Sequence, residues 1–256
     1  MSRLGSKLAV TATLLVGACA NAPTISTERI AEILASPDRR PADRTNDIRR
    51  KPHDMLAFIG LRPGMVALDL SAGGGYTTEL IARAVGPTGR VYGQSRPRDP
   101  NAPAPAGPPN SALALAERAK NPAASNIVAV VRRFEDPVPP EVASDALDLV
   151  TLMFNYHDLG WIGVDRAQMN KAVYAALKRG GMYVIADHSG RPGTGISESG
   201  TLHRVEEAFL RKEVEAAGFR LAAEGNFLRN PGDPRDKNTP NPPQPKDEFV
   251  LKFVKP

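Results

Sequence analysis

The stretch Val66-Ala67-Leu68-Asp69-Leu70-Ser71-Ala72-Gly73-Gly74-Gly75-Tyr76-Thr77-Thr78-Glu79-Leu80 constrains this chain more than any other. An apolar run ends at an acid, a turn of small residues follows, and a helical pattern begins at Tyr76 or Thr77. That order reads as strand, tight turn and helix, the opening unit of a nucleotide-binding α/β sheet. Glycine lets the backbone take a positive φ and approach a ligand closely. The helix N-terminus behind the turn supplies free N–H groups and a positive dipole end. The dinucleotide fingerprint G-x-G-x-x-G fits less well, because Thr78 stands where the third glycine belongs.

The rest of the chain continues an alternation of strand and helix. Further strands are expected over 90–93, 127–131, 146–154, 182–186, 219–223 and 249–254. Helices are expected over 27–35, 53–59, 77–85, 111–120 and 166–178, with another ending at Ala217-Gly218. Residues 36–52 are polar and carry Arg39, Arg40, Arg44, Arg49, Arg50 and Lys51. They read as a solvated arm, with lipid phosphates or an acidic substrate as the other use of such a run. Residues 97–110 and 230–246 are proline-rich loops, and Gly190–Gly200 is a glycine-rich candidate lid. The 256 residues suit one α/β domain with extensions. A net charge of +5 without aromatic-interleaved basic stripes argues against nucleic acid as a partner.

The segment from Val66 to Leu80 resembles motif I of class I S-adenosylmethionine (SAM)-dependent methyltransferases. Other segments agree: Asn155-Tyr156-His157-Asp158-Leu159 resembles the region after motif IV, and Leu177-Lys178-Arg179-Gly180-Gly181 resembles the turn before strand five. With Asp187-His188-Ser189 and Leu202-His203-Arg204, they resemble a group of extracytoplasmic, predicted methyltransferases over about residues 47–256. The resemblance implies a doubly wound, Rossmann-like sheet of seven strands whose last strand is antiparallel, with strand one beside strand four. It implies SAM as cofactor and a small-molecule substrate. Cofactor contacts then fall to Asp69, Ser71, Ala72, Gly73, Gly74, Gly75 and Asn155. At the end of strand two the family carries an acid for the ribose diol; Gln94 and Ser95 stand there, and Gln bonds a hydroxyl without charge assistance. Phe134 would pack on adenine, with Glu135 or Asp136 bonding its amino group.

Methyl transfer requires mainly alignment, with at most one proton removed. His157 and His188, at the ends of strands four and five, are the candidate bases, and neutral imidazole is competent near pH 7. Two other readings stand beside this. His157, Asp158, Asp187, His188 and His203 form a His/carboxylate set that suits Zn²⁺ or Fe²⁺, although no short ligand motif marks them and no metal ligand is assigned. The fold can also serve as an inactive module for a nucleoside-like ligand.

The N-terminus has its own pattern. Arg3 and Lys7 precede the apolar run Leu8–Ala18, which is too short to span a bilayer as a helix. Val16-Gly17-Ala18-Cys19 resembles a bacterial lipobox, which implies lipidation at Cys19, the chain's one cysteine. Ala20 rather than Asp follows, and by the same resemblance the anchor is expected in the outer membrane, facing the periplasm. The organisation expected is a signal peptide over 1–18, a tether and N-terminal helix or arm over 19–46, and the α/β domain over 47–256. Because SAM is made in the cytoplasm, export is the argument for the inactive binder. The oligomeric state is left open.

Overall fold

A computed structural model describes residues 23–98, 111–238 and 246–256. The expected leader, Cys19 and much of the two proline-rich loops lie outside the described residues. Three helices, α1 (Thr27–Ala35), α2 (Pro41–Arg50) and α3 (Pro52–Ile59), precede β1 (Val66–Leu70) and α4 (Tyr76–Val85). Next come β2 (Arg90–Ser95), α5 (Ser111–Arg118), β3 (Ile127–Val131), β4 (Leu147–Met153), α6 (Tyr156–Trp161) and α7 (Arg166–Ala176). The chain closes with β5 (Leu177–His188), α8 (Ser199–Leu202), α9 (Glu207–Ala216), β6 (Arg220–Gly225) and β7 (Glu248–Val254).

The strands form one seven-stranded sheet in the order β3-β2-β1-β4-β5-β7-β6. Strands β1 to β5 pair in parallel, and β7 runs antiparallel to both β5 and β6. The order reverses between β1 and β4, so the carboxyl ends of these two strands part and open a crevice at the switch point. The strands there are apolar on both faces, as a sheet covered on both sides requires. One core packs Ile30, Ile33, Leu56, Ile59, Ile81 and Val85 against one face. The other packs Leu68, Tyr156, Met169, Val173, Phe219 and Phe253 against the opposite face.

The N-terminal segment departs from the expected solvated arm. Residues 41–50 are a helix, α2, entered through Pro41, and a boundary at residue 47 would cut it. Arg39, only 4% exposed, makes a fork to both carboxylate oxygens of Asp47 at 2.7 and 2.8 Å. Asp43 is buried against Arg118 of α5. The helix docks by ion pairs rather than by an apolar stripe, which is why hydrophobic periodicity did not reveal it. Further on, α7 stops at Ala176 and β5 begins at Leu177, but the β4–β5 register passes from Leu147↔Leu177 to Leu149↔Met182 and Gly180 takes φ +75°, so the expected turn is present as a bulge within the strand. The expected lid is held at two points, Gly190 N–H donating to Val205 O at 2.8 Å and Ile196 lying where a Cβ on Gly160 would meet it at 2.5 Å, while Arg191, Pro192 and Gly193 between them are exposed. No helix among the described residues is long and apolar enough to cross a membrane.

Candidate active site

The turn after β1 is held from below. Asp69 is buried, and its two oxygens accept from Thr78 Oγ1 at 2.6 Å and Thr151 Oγ1 at 2.7 Å. Burial pushes its pKa up to about 6, against the pull of those two hydroxyls and of Arg50. Asp69 thus ties β1 to α4 and β4 and does not present a free oxygen to the crevice, contrary to its expected part as a direct cofactor contact. Ser71 takes a left-handed backbone at φ +52°, followed by Gly73 at +54° and Gly75 at +80°. A Cβ on Gly74 would meet nothing within 4 Å, and one on Gly73 only the Ser71 carbonyl at 3.9 Å, so both face open space. Gly75 differs: its Cβ would strike Arg118 Cδ at 2.7 Å and Leu115 at 2.9 Å, where α5 closes on the turn. Ala72 N–H donates to Gln94 O at 2.9 Å, so its amide is spent on β2.

Gln94 has a different task from the expected ribose contact. Its Oε1 accepts Ser71 N–H at 2.9 Å and its Nε2 donates to Arg132 O at 2.7 Å. The fully buried amide therefore braces the turn against β2 and the strand beyond it. The neighbouring Ser95 is the polar group left over, because its buried Oγ has no hydrogen-bond partner. Ser71, Gly73, Ser95, Phe134, Asn155 and Asp158 line a crevice of about 250 Å³. A second cavity of about 450 Å³ shares Arg96, Phe134 and Ile162 with it and adds Glu135. Glu135 has its carboxyl held below the usual range by its own backbone N–H, assisted by Arg133.

The far rim is built from the ends of β4 and β5. Phe154 leaves β4 at φ +59°, and Asn155, the residue before α6, donates from Nδ2 to Asp158 Oδ2 at 2.7 Å. Asp187, fully buried, accepts from His157 N–H at 2.8 Å, from His188 N–H at 2.8 Å and from His157 Nδ1 at 2.6 Å. That bond fixes the imidazole with its Nε2 turned to Asp158 Oδ1, 3.2 Å away. The His157 and His188 rings lie 5.3 Å apart, and His203 stands edge-on to His157 at 5.5 Å. Sequence-distant residues that residue type alone grouped together are therefore neighbours.

Their electrostatics revise one expectation. Burial works against charge on His157, but Asp187 and Asp158 outweigh it and raise the pKa to about 9. His157 is an imidazolium at pH 7, and it is not the neutral base expected. His188 goes the opposite way: burial drives it well below the ordinary value, so it is neutral but weakly basic. Its Nδ1 lies 2.9 Å from Glu248 Oε1 without the angle of a hydrogen bond. The β5–β7 register puts Glu248 opposite His188.

Two groups of functional interest carried no motif. Arg49 and Arg50, at the end of α2, place their guanidinium carbons 4.7 and 4.5 Å from the centre of the Phe154 ring. Arg50 has its pKa lowered to about 10 by burial and by Arg49. Arg118 donates to the Gly74 carbonyl and to the buried carboxylates of Asp43 and Glu79, locking the turn to α2 and α4. Thr151 had a legible signal, as the one hydroxyl in the apolar run of β4.

No family model matches the chain, and no curated protein matches it in sequence. Solved structures match it in shape. A SAM-dependent methyltransferase from Aquifex aeolicus superposes with a TM-score of 0.59 at 16% identity, over 91% of this chain and 100% of that one. The fold is that of the class I methyltransferases. Geranyl diphosphate C-methyltransferase from Streptomyces coelicolor, solved with Mg²⁺, geranyl diphosphate and S-adenosyl-L-homocysteine, gives 0.57 at 11% identity over 92% and 90% of the two chains. The [4+2]-cyclase SpnF gives 0.57 at 14% identity over 81% and 82%. At these identities the likeness is one of fold, and the cyclase is a reminder that one fold carries several chemistries.

Proposed function

We propose that this chain is a SAM-dependent methyltransferase acting on a small molecule, exported and anchored by lipid at Cys19. The observation that carries the reading is the turn at residues 71–75, whose Ser71 and open Gly73 line a crevice at the sheet's switch point. The methionine part of SAM would cross this turn, and the ribose would offer its hydroxyls to Ser95 Oγ, the buried group there that lacks a partner. Phe134 supplies an apolar face and Glu135 an acceptor for the adenine. The acceptor molecule would enter over Phe154, beside Arg49, Arg50 and His188. There His188 serves as clamp, since its lowered pKa makes it a poor proton acceptor, and His157 keeps a positive charge at the rim. Methyltransferases of the same fold, one of them solved with S-adenosyl-L-homocysteine, support the cofactor.

The anchor rests on the basic start, the short apolar run and the lipobox ending at Cys19. Ile25 N–H donates to Leu61 O at 2.8 Å, so the chain is tied to the domain six residues after the cysteine. Six residues span at most about 20 Å, which would hold the domain close to the membrane. Calorimetric titration of the full chain with SAM and with S-adenosylhomocysteine tests the cofactor. Binding in the micromolar range that Gly73→Val abolishes supports it. No binding at millimolar SAM would favour the inactive module for another ligand, for which the missing acid at the end of β2 is the supporting observation.

A further inference from the structure

Three donor atoms converge beside the crevice from two distant parts of the chain. His157 and Asp158 come from α6, and His203 follows α8, 45 residues after Asp158. Asp158 Oδ1 lies 3.2 Å from His157 Nε2 and 3.0 Å from His203 Nδ1, and all three atoms are within 4.8 Å of one another. Around an ion with bonds of about 2.0–2.2 Å, neighbouring donors stand roughly 2.9–3.5 Å apart at octahedral to tetrahedral angles. The separations of Asp158 Oδ1 from His157 Nε2 and from His203 Nδ1 both fall in that interval.

The surroundings fit the same purpose. A histidine ligand ordinarily donates its other ring N–H to a carboxylate, which fixes the tautomer and raises the ligand's basicity. His157 Nδ1 has this partner in Asp187 Oδ1 at 2.6 Å, which directs Nε2 at Asp158 and His203. Asp158 is oriented in turn by Asn155 Nδ2 at 2.7 Å and Trp161 Nε1 at 3.0 Å. His203 holds a left-handed backbone, φ +50°, ψ +56°, which a β-carbon disfavours and which packing must maintain. Two carboxylates, Asp158 and Asp187, flank His157, and an ion bound at Nε2 would take the place of the proton held there in the metal-free protein.

We propose that His157 Nε2, Asp158 Oδ1 and His203 Nδ1 bind a divalent transition-metal ion at the acceptor side of the crevice. Two imidazoles and one carboxylate suit Zn²⁺, Fe²⁺ or Co²⁺ and not the all-oxygen preference of Ca²⁺ or Mg²⁺. Three protein ligands leave positions for a small ligand, and Asp158 shares the crevice wall with Ser71 and Gly73. An acceptor with a hydroxyl oxygen is the class such an ion would hold, since coordination lowers the hydroxyl pKa. The choice of acceptor rests on the methyltransferase reading, whereas metal binding does not.

The test uses the untagged full chain, stripped by a chelator and titrated with Co²⁺ and Zn²⁺ alone. One equivalent of Co²⁺ should bind at micromolar concentration or below, give a visible d–d absorption, and be displaced by Zn²⁺. His203→Asn and Asp158→Asn should each weaken binding at least ten-fold, while His53→Asn, on α3, should leave it unchanged. The His203 side chain is 37% exposed and Asn tolerates the left-handed backbone, so this variant should keep the parent's circular dichroism. Absence of stoichiometric binding, or binding that both variants retain, would overturn the proposal and leave a hydrogen-bonded ion-pair cluster. A SAM titration of the stripped protein is read separately, so failure of the metal site and failure of the cofactor reading are distinguishable.

Discussion

Asp69 is the sharpest place to perturb this molecule, because its carboxyl is stabilised in the protonated form by the fold. Burial raises its pKa from 3.8 to about 6. In the unfolded chain the group is ionised above about pH 4. Between those values the folded protein binds the extra proton, so stability falls as pH rises from about 4 to about 6 and the loss then stays constant. A pKa raised this far costs at most roughly 3 kcal/mol above that window, since a tenfold change in proton affinity is worth about 1.4 kcal/mol. Asp69→Asn removes the charge and keeps the shape. Its Oδ1 accepts from one threonine hydroxyl, and its Nδ2 donates to the other, which rotates to accept. The variant should therefore be more stable than the parent by about 1–3 kcal/mol at pH 8, with no gain near pH 4. Urea unfolding of both proteins at several pH values measures this. A variant less stable than the parent at pH 8, or a gain independent of pH, would refute this account of the buried carboxyl. The same change should weaken SAM about ten-fold, because the carboxylate beneath the turn favours a cationic ligand. A stability cost retained at this position is intelligible if function needs the charge.

Other changes separate structural from ligand-directed roles. Arg118→Met leaves Asp43 buried without its partner and takes one of the two arginines from Glu79, so it should cost about 3–5 kcal/mol in urea unfolding; a loss under about 1 kcal/mol would mean α2 simply lifts away. Adding Asp43→Asn should recover part of that loss, and strict additivity would show the two are uncoupled. Ser95→Ala removes a buried hydroxyl that has no partner, so it should leave the melting temperature within a degree or two while weakening SAM by about 1 kcal/mol in calorimetry. Cys19→Ser should move the protein out of the membrane fraction and abolish labelling by a palmitate analogue; unchanged fractionation would count against the anchor.

Much of the site was legible where local chemistry is repetitive. The turn at 71–75 announces itself because a positive φ at alternate positions, Ser71, Gly73 and Gly75, favours small residues. The strand ends carrying Asn155–Asp158 and Asp187–His188 could be placed on one rim, because open α/β sheets gather their carboxyl strand ends there. The roles of single polar groups were less legible. Gln94 stands where a ribose contact belongs, yet its amide is consumed by Ser71 N–H and Arg132 O. The arginines of residues 39–50 read as solvated charge, but Asp47, the partner of Arg39, lies eight positions along the chain and Glu248, the partner of Arg49, lies 199. Only the fold brings Glu248 within reach.

The sequence by itself determined the alternation of strand and helix and the glycine turn, since hydrophobic periodicity and backbone sterics act within a few residues, and the order of the sheet came with the family resemblance. Tertiary structure alone decided the charge states at the rim. Enclosing His157 between Asp187 and Asp158 raises its pKa, while burying His188 without a hydrogen bond to its Nδ1 lowers it, although both are histidines on the same rim. It also decided that His203 meets His157 and Asp158. Desolvation and Coulomb forces depend on which groups are close in space, and chain order does not record that distance.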